Sequence, residues 1–200
     1  MTSGSGDTRP ANVGNRTLRI AIAQLGRFYN LPTQSIGPDS DSHCLDGQNA
    51  WENMMTAAAV ICSQANILMN AGMFASGLTV SHEQLVIDNE ILGFLYHLRK
   101  GIEVTPETLA IKNIQEAGLG GNFLHGDLQF ARRRLKKEYW TPDISCRLDY
   151  DRWVGSGARN SMVIAKERVH KILENHKSVD LDANTKKSLD EIVADFKQAT

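Results

Sequence analysis

Two stretches of this sequence carry residue types that could do chemistry, and each follows a short apolar segment. The first, Gly37-Pro-Asp-Ser-Asp-Ser-His-Cys-Leu45, holds Asp39, Asp41 and His43 and runs into Asp46, the densest acidic cluster in the chain. Clustered carboxylates suit a cationic ligand. The competing reading makes Asp46 a helix cap and leaves the other aspartates as solvated turn residues. Gln48 and Glu52 follow on the first turns of the next helix, where they either reach a ligand or serve the helix start. The second stretch begins at Asn70 and carries Gly72, Met73, Ser76 and Gly77. Asn70 at a strand end either touches a ligand or satisfies loop amides, and the two glycines serve tight backbone geometry. His43, Cys44 and His82 match no zinc spacing, so no metal site is expected. Gly118-Leu-Gly-Gly121 has no strand before it and reads as a helix end and turn rather than a phosphate loop.

The elements that must position these residues follow from periodicity. Leu18, Ile22, Leu25 and Tyr29 recur at helical spacing and predict an amphipathic helix over 15–29 with Asn15 as its cap. Thr33 to Ile36 reads as a short strand. A helix from Asp46 to about Gln64 carries Trp51, Met54, Met55, Ala58, Ile61 and Cys62 on its apolar face, with Asp46 at its positive end. Ile67 to Met69 reads as a second strand, and Ser81 caps a helix to about Lys100. In that helix Asp88 and Glu90, flanked by Val86, Ile87 and Ile91, read as part of a salt-bridged helix packed against the barrel rather than as a functional pair. Helix, strand, helix, strand, helix with short links argues for parallel strands with right-handed crossovers. Beyond Gly101 the pattern is helical: one helix from Thr105 to Ala117 started by Pro106, then helices near 127–139, 149–176 and 184–198. The basic run Arg132-Arg-Arg-Leu-Lys-Lys137 reads as a solvated helix face, or else as a docking surface.

Composition sets bounds. The 200 residues are 42% apolar, enough for a real core, and the net charge of −1 gives no bulk case for nucleic acid or a membrane surface. The longest apolar run, Ala57 to Cys62, is too short to span a bilayer. No signal peptide is apparent at Met1 to Asp7, and three cysteines with no Cys-x-x-Cys suit reduced thiols in a cytoplasmic protein.

The wording is specific as well. Gly72-Met73, Ser76-Gly-Leu-Thr79 and Val86-Ile-Asp-Asn-Glu-Ile91 resemble the trimethylamine methyltransferase family, whose members pass a methyl group from a methylated amine to a corrinoid protein. Ala23 to Pro32, Asp39 to His43, Leu45 to Glu52, Gly101 to Val104, Gly118 to Leu124, Arg168 to Leu173 and Leu189 to Val193 continue the likeness in order. The resemblance implies a TIM (β/α)8 barrel, with the substrate held at its mouth facing the cobalt of a separate corrinoid protein. Archaeal amine-specific members carry pyrrolysine at the position matching Asp39. A standard residue there resembles the wider branch acting on betaines such as glycine betaine. Pro38 stands for a glycine, His43 for a lysine, and Phe130-Ala131 for a His-Thr pair.

A whole barrel needs roughly 250 residues, and only two strands are legible before the chain turns helical. The expected fold is therefore α/β: a flexible segment over 1–14, the C-terminal part of a barrel over 15–104, and a helical region over 105–200. The earlier strands would belong to another chain or a split gene. In that frame Asp39 and Asp41 face the substrate cation, His43 meets a substrate carboxylate or the corrinoid, and Gln48 and Asn70 are further substrate-binding candidates. No residue need be a nucleophile, because the corrinoid carried by the partner supplies it. Two functions stand open: a corrinoid-dependent amine or betaine methyltransferase, or a non-catalytic remnant serving as an assembly or partner-binding module. Open strand edges also predict self-association, or pairing with a complementary N-terminal barrel portion.

Overall fold

The computed structural model describes residues 13–121, 134–135 and 138–198. The segment expected to be flexible at 1–14 lies outside them except for its last two residues, as do Phe130-Ala131 and most of the 127–139 helix and the basic run.

Helix α1 (Val13–Phe28) leads into strand β1 (Gln34–Ile36), helix α2 (Gly47–Cys62) and strand β2 (Ile67–Met69). The two strands pair in parallel, with Gln34 opposite Ile67 and Ile36 opposite Met69. This is the neighbouring parallel pair that the alternation of elements predicts. A hairpin follows, β3 (Met73–Phe74) antiparallel to β4 (Thr79–Val80), before helix α3 (His82–Lys100). Sequence periodicity missed this hairpin because two-residue strands are too short to show alternation. Asp46 accepts the Asn49 amide and Ser81 the Gln84 amide, so these two caps stand where they were predicted, whereas α1 begins at Val13 and holds Asn15 inside the helix rather than at its cap.

The core lies where α2 packs on α3 and α1. Ala57 and Ile61 of α2 meet Leu95 of α3, and Ala23 of α1 meets Val60 and Ala65, with Leu68 of β2 touching both groups. Which face each helix buries differs from the apolar pattern. On α2 the buried residues are Asn49, Asn53, Thr56, Ala57, Val60 and Ile61, while Trp51 and Met55 are exposed. On α1 the buried residue is Ala23, and the predicted stripe of Leu18, Ile22, Leu25 and Tyr29 is exposed. Small residues explain both shifts. Ala23, Ala57 and Gly37 admit close backbone approach, and a Cβ on Gly37 would lie 2.9 Å from the Thr56 carbonyl oxygen.

The later helices are shorter than periodicity suggests. The expected helix over 105–117 is two, α4 (Pro106–Leu109) and α5 (Ile111–Ala117), parted at Ala110 with φ 52°. Thr105 and Thr108 form a reciprocal capping box around Pro106. Gly118, with φ 67°, closes α5 as expected. The stretch 149–176 is likewise two helices, α6 (Tyr150–Gly155) and α7 (Ser161–Asn175), with Gly157 and Ala158 left-handed between them. The chain divides into two compact units, residues 1–169 and 170–200. The second contains α8 (Ala183–Gln198), whose residues 183–197 are exposed. No barrel is formed by the described residues. Among them, no helix is long and apolar enough to cross a membrane.

Candidate functional site

Both chemistry-bearing loops leave the carboxyl ends of β1 and β2, on the same edge of the parallel pair. That edge is where α/β sheets gather ligands. The loops are tied to each other by the backbone: Ala75 N–H donates to Ser42 O at 2.9 Å, and Ser76 N–H to Ser40 O at 3.0 Å. A side-chain bond completes the join, Ser76 Oγ to Asp41 Oδ1 at 2.8 Å. Ala75 and Ser76 both hold left-handed backbone, φ 52° and 57°, which costs a non-glycine residue of order 1 kcal/mol or more. The ties to the first loop hold that conformation.

Each predicted residue has a distinct setting. Asp39 is fully buried: Arg19 Nη2 lies 3.3 Å from its Oδ2, and Arg19 Nη1 donates to Ile36 O at 2.8 Å. Asp39 Oδ1 has no hydrogen-bond partner among the described residues. Burial raises the Asp39 pKa, and the Arg19 charge opposes that rise. Its amide donates to Thr56 Oγ1 at 2.9 Å, fixing the loop to α2. Asp41 is half-buried at the rim. Its amide donates to Glu52 Oε2 at 2.9 Å, and its carboxylate takes the Ser76 hydroxyl. Gln48 Nε2 reaches Glu52 Oε1 at 3.2 Å, and Ser40 Oγ reaches Glu52 Oε2 at 2.8 Å. Glu52 thus gathers Ser40, Asp41 and Gln48. Asn70 opens the second loop with φ 77°, and its carbonyl accepts the Met73 amide at 3.0 Å. His43 is exposed on the outer turn of the first loop. The structure therefore brings Asp39, Asp41 and Gln48 into one network and leaves His43 at its outer edge.

Asp46 caps α2, and the Asn49 amide and Ser42 hydroxyl hold its carboxyl below the usual range. Among the described residues no group of three or more His, Cys, Asp or Glu could hold a metal ion.

Periodicity missed several members of the network. Arg19 was hidden within an amphipathic helix, and Thr56 within a run of alanines. Asp88 and Glu90 lie on a packed helix face as expected but are not salt-bridged: both are buried, and neither has an ion pair among the described residues. Glu90 accepts the amides of Asp143, Ile144 and Ser145 and the Ser145 hydroxyl, pinning that segment to α3. Asp88 accepts the Gly72 amide at 2.7 Å and Gln84 Nε2 at 2.7 Å. Burial raises the Asp88 pKa to about 7, against the pull of those two donors, and the Asp39 charge adds to the rise.

Comparison with known proteins places this arrangement. Residues 3–200 match the family model described as trimethylamine methyltransferase. Trimethylamine methyltransferase MttB2 of Methanosarcina mazei is 37% identical over 187 residues, covering 92% of this chain and 37% of the relative. Trimethylamine methyltransferase MttB of Methanosarcina barkeri is 37% identical over 186 residues, with the same coverage. Glycine betaine methyltransferase of Desulfitobacterium hafniense is 34% identical over 179 residues, covering 87% of this chain and 36% of its own length. The chain thus spans little more than a third of the length of these relatives.

Proposed function

The chain belongs to the trimethylamine methyltransferase family, and on that premise we propose that it serves methyl transfer from a methylated amine, trimethylamine or a betaine such as glycine betaine, to a partner corrinoid protein. Relatives named for both substrates support the class of methyl donor. The barrel reading goes with it: β1 and β2 are two neighbouring strands of a (β/α)8 cylinder whose other strands come from a complementary portion. A cytoplasmic location suits the same reading.

The single observation that carries the proposal is the interlock of the two loops around Asp41. A methyl donor bearing a fixed positive charge needs a carboxylate held still at the mouth of the strands, and a wall that keeps water away. Asp41 is half-buried, fixed through its own amide by Glu52 and through its carboxylate by Ser76. Asp39 is a less available partner for a cation, because Arg19 already lies against it. In this reading Asp39 builds the loop and Asp41 meets the ammonium, with Gln48 and Asn70 lining the approach. The corrinoid, carried by the partner, supplies a strong cobalt nucleophile; this chain orients the N-methyl group and balances its charge. His43, exposed beside the loop, is placed to meet a substrate carboxylate or the incoming partner.

A second reading, a non-catalytic assembly module, draws on α1. Leu18, Ile22, Leu25 and Phe28 are all exposed on that helix, with Tyr29 just beyond its end, an apolar face suited to a protein neighbour. The deciding experiment reconstitutes the chain with the polypeptide supplying the rest of the relatives' length, a Co(I) corrinoid protein, and trimethylamine or glycine betaine. Demethylation supports the enzyme; a complex that assembles and transfers no methyl group supports the module.

A further inference from the structure

Asp88 is fully buried on α3, and no cation is ion-paired to it among the described residues. It grips the second loop at one point, the Gly72 amide. That point is tightly seated: a Cβ on Gly72 would lie 3.2 Å from Leu85 Cβ, and Gly72 O accepts the Ser81 amide at 3.0 Å. One turn earlier on the same helix, Gln84 gives its Nε2 to Asp88 Oδ1, and its own Oε1 is buried with no donor among the described residues. A half-turn of the Gln84 amide exchanges its oxygen and nitrogen in place, so that Oε1 faces Asp88 and Nε2 takes the other buried position. A carboxylic acid at Asp88 would then donate to Oε1, while its own carbonyl oxygen keeps the Gly72 amide.

We propose that Asp88 is a positioning residue held as a neutral acid, donating to Gln84 Oε1 and accepting from Gly72, and that the Asn70 to Leu78 loop stays docked only while this acid keeps its proton. The surrounding charges favour that form. The charged group facing Asp88 is Asp39 of the first loop, a second buried carboxylate whose charge Arg19 of α1 already offsets. Helix α2, which packs on α3, buries the neutral Asn49 and Asn53, and its Glu52 is engaged by Ser40, Asp41 and Gln48. Ionised Asp88 would be a second buried negative charge in this space, this one with no cation against it among the described residues, and hydrating it means lifting the loop from α3. The burial-driven rise of its pKa to about 7 agrees with this arrangement. The consequence reaches the candidate site, because the docked loop carries Ser76 to Asp41. The inference deepens the proposed function, yet its test needs neither methyl donor nor corrinoid.

The test is amide hydrogen exchange over residues 70–80 of the full chain at about pH 6 and about pH 8.5, corrected for intrinsic exchange, in wild type, Asp88→Asn and Asp88→Ala. Asparagine keeps the acceptor for Gly72 and a donor for Gln84 at every pH. Wild-type protection should fall roughly tenfold or more between the two conditions, following loss of the proton. Asp88→Asn should keep the protection at both, and Asp88→Ala should lack it at both. Wild-type protection independent of pH, or an asparagine variant as unprotected as the alanine one, would overturn the inference. Should the alanine variant fail to fold, the wild-type and asparagine pair decides alone.

Discussion

The contact between α2 and α3 has two ends built on different rules. Away from the loops, Ala57 and Ile61 pack with Leu95, Ile91 and Leu92, and nothing there depends on direction. Beside the loops, the same two helices bury Asn49, Asn53, Thr56, Gln84 and Asp88, joined by directional hydrogen bonds such as Asn53 to Asn49, Thr56 to Asp39 and Gln84 to Asp88. Apolar burial contributes stability roughly in proportion to area and tolerates similar shapes. A buried polar cluster stabilises less, because its groups must first leave water, but it fixes geometry. The lesson is one of division: the apolar end holds the helices together, and the polar end spends stability on holding two loops in register.

Truncation at the apolar end should give the largest effect on stability. Ile61→Ala, at a site 1% exposed, should cost about 2–5 kcal/mol in urea unfolding, while Ile61→Leu should cost under about 1.5. An alanine variant losing less than about 1 kcal/mol would show that this end is not the core.

The second effect is pH-dependent and belongs to the polar end. Asp88 has a folded pKa of about 7 against an ordinary value of 3.8. The folded state therefore keeps a proton that the unfolded chain has released. This contribution is full below about pH 4 and is lost as the pH rises through about 7, on the order of 2–4 kcal/mol in all. Asp39, also raised by burial, has the same sign. Unfolding measured across that window should show wild type weakening with rising pH and Asp88→Asn weakening much less. Parallel curves for the two proteins would remove Asp88 from the account.

How far the sequence carries was decided by the same division. The parallel strands, the Asp46 and Ser81 caps and the loops were legible because capping residues, glycines and short apolar runs are local signals. The buried faces were not. Trp51 and Met55 are apolar yet exposed, while Asn53 and Thr56 are polar yet buried, and hydrophobic periodicity assigns such residues to the wrong side. Asp41 and Gln48 could be nominated from the acidic loop, but Arg19 beside Asp39 joins residues from separate elements, and only folding reveals that pairing. The Ala110 break is invisible for another reason: alanine is a strong helix former, held here in a left-handed turn.

Smaller effects sharpen the comparison. Glu52→Gln keeps the shape but removes the charge that receives the Asp41 amide and Ser40 hydroxyl, and should cost about 1–2 kcal/mol. Asp46→Ala should cost about 1 kcal/mol through the lost α2 cap, with no added effect on the loops beyond the Ser42 contact. Thermal unfolding of both variants checks the order.

The central claim is that function sits at the polar end, on Asp41. Methyl transfer to a Co(I) corrinoid protein by the reconstituted assembly, compared among wild type, Asp41→Asn and Ile61→Val, tests it most directly. Loss of the carboxylate charge should lower kcat/KM roughly 10- to 100-fold with stability near wild type. Ile61→Val should lower stability by about 0.5–1.5 kcal/mol and leave the rate per folded molecule unchanged. An Asp41→Asn protein that transfers methyl groups at the full wild-type rate would contradict the account.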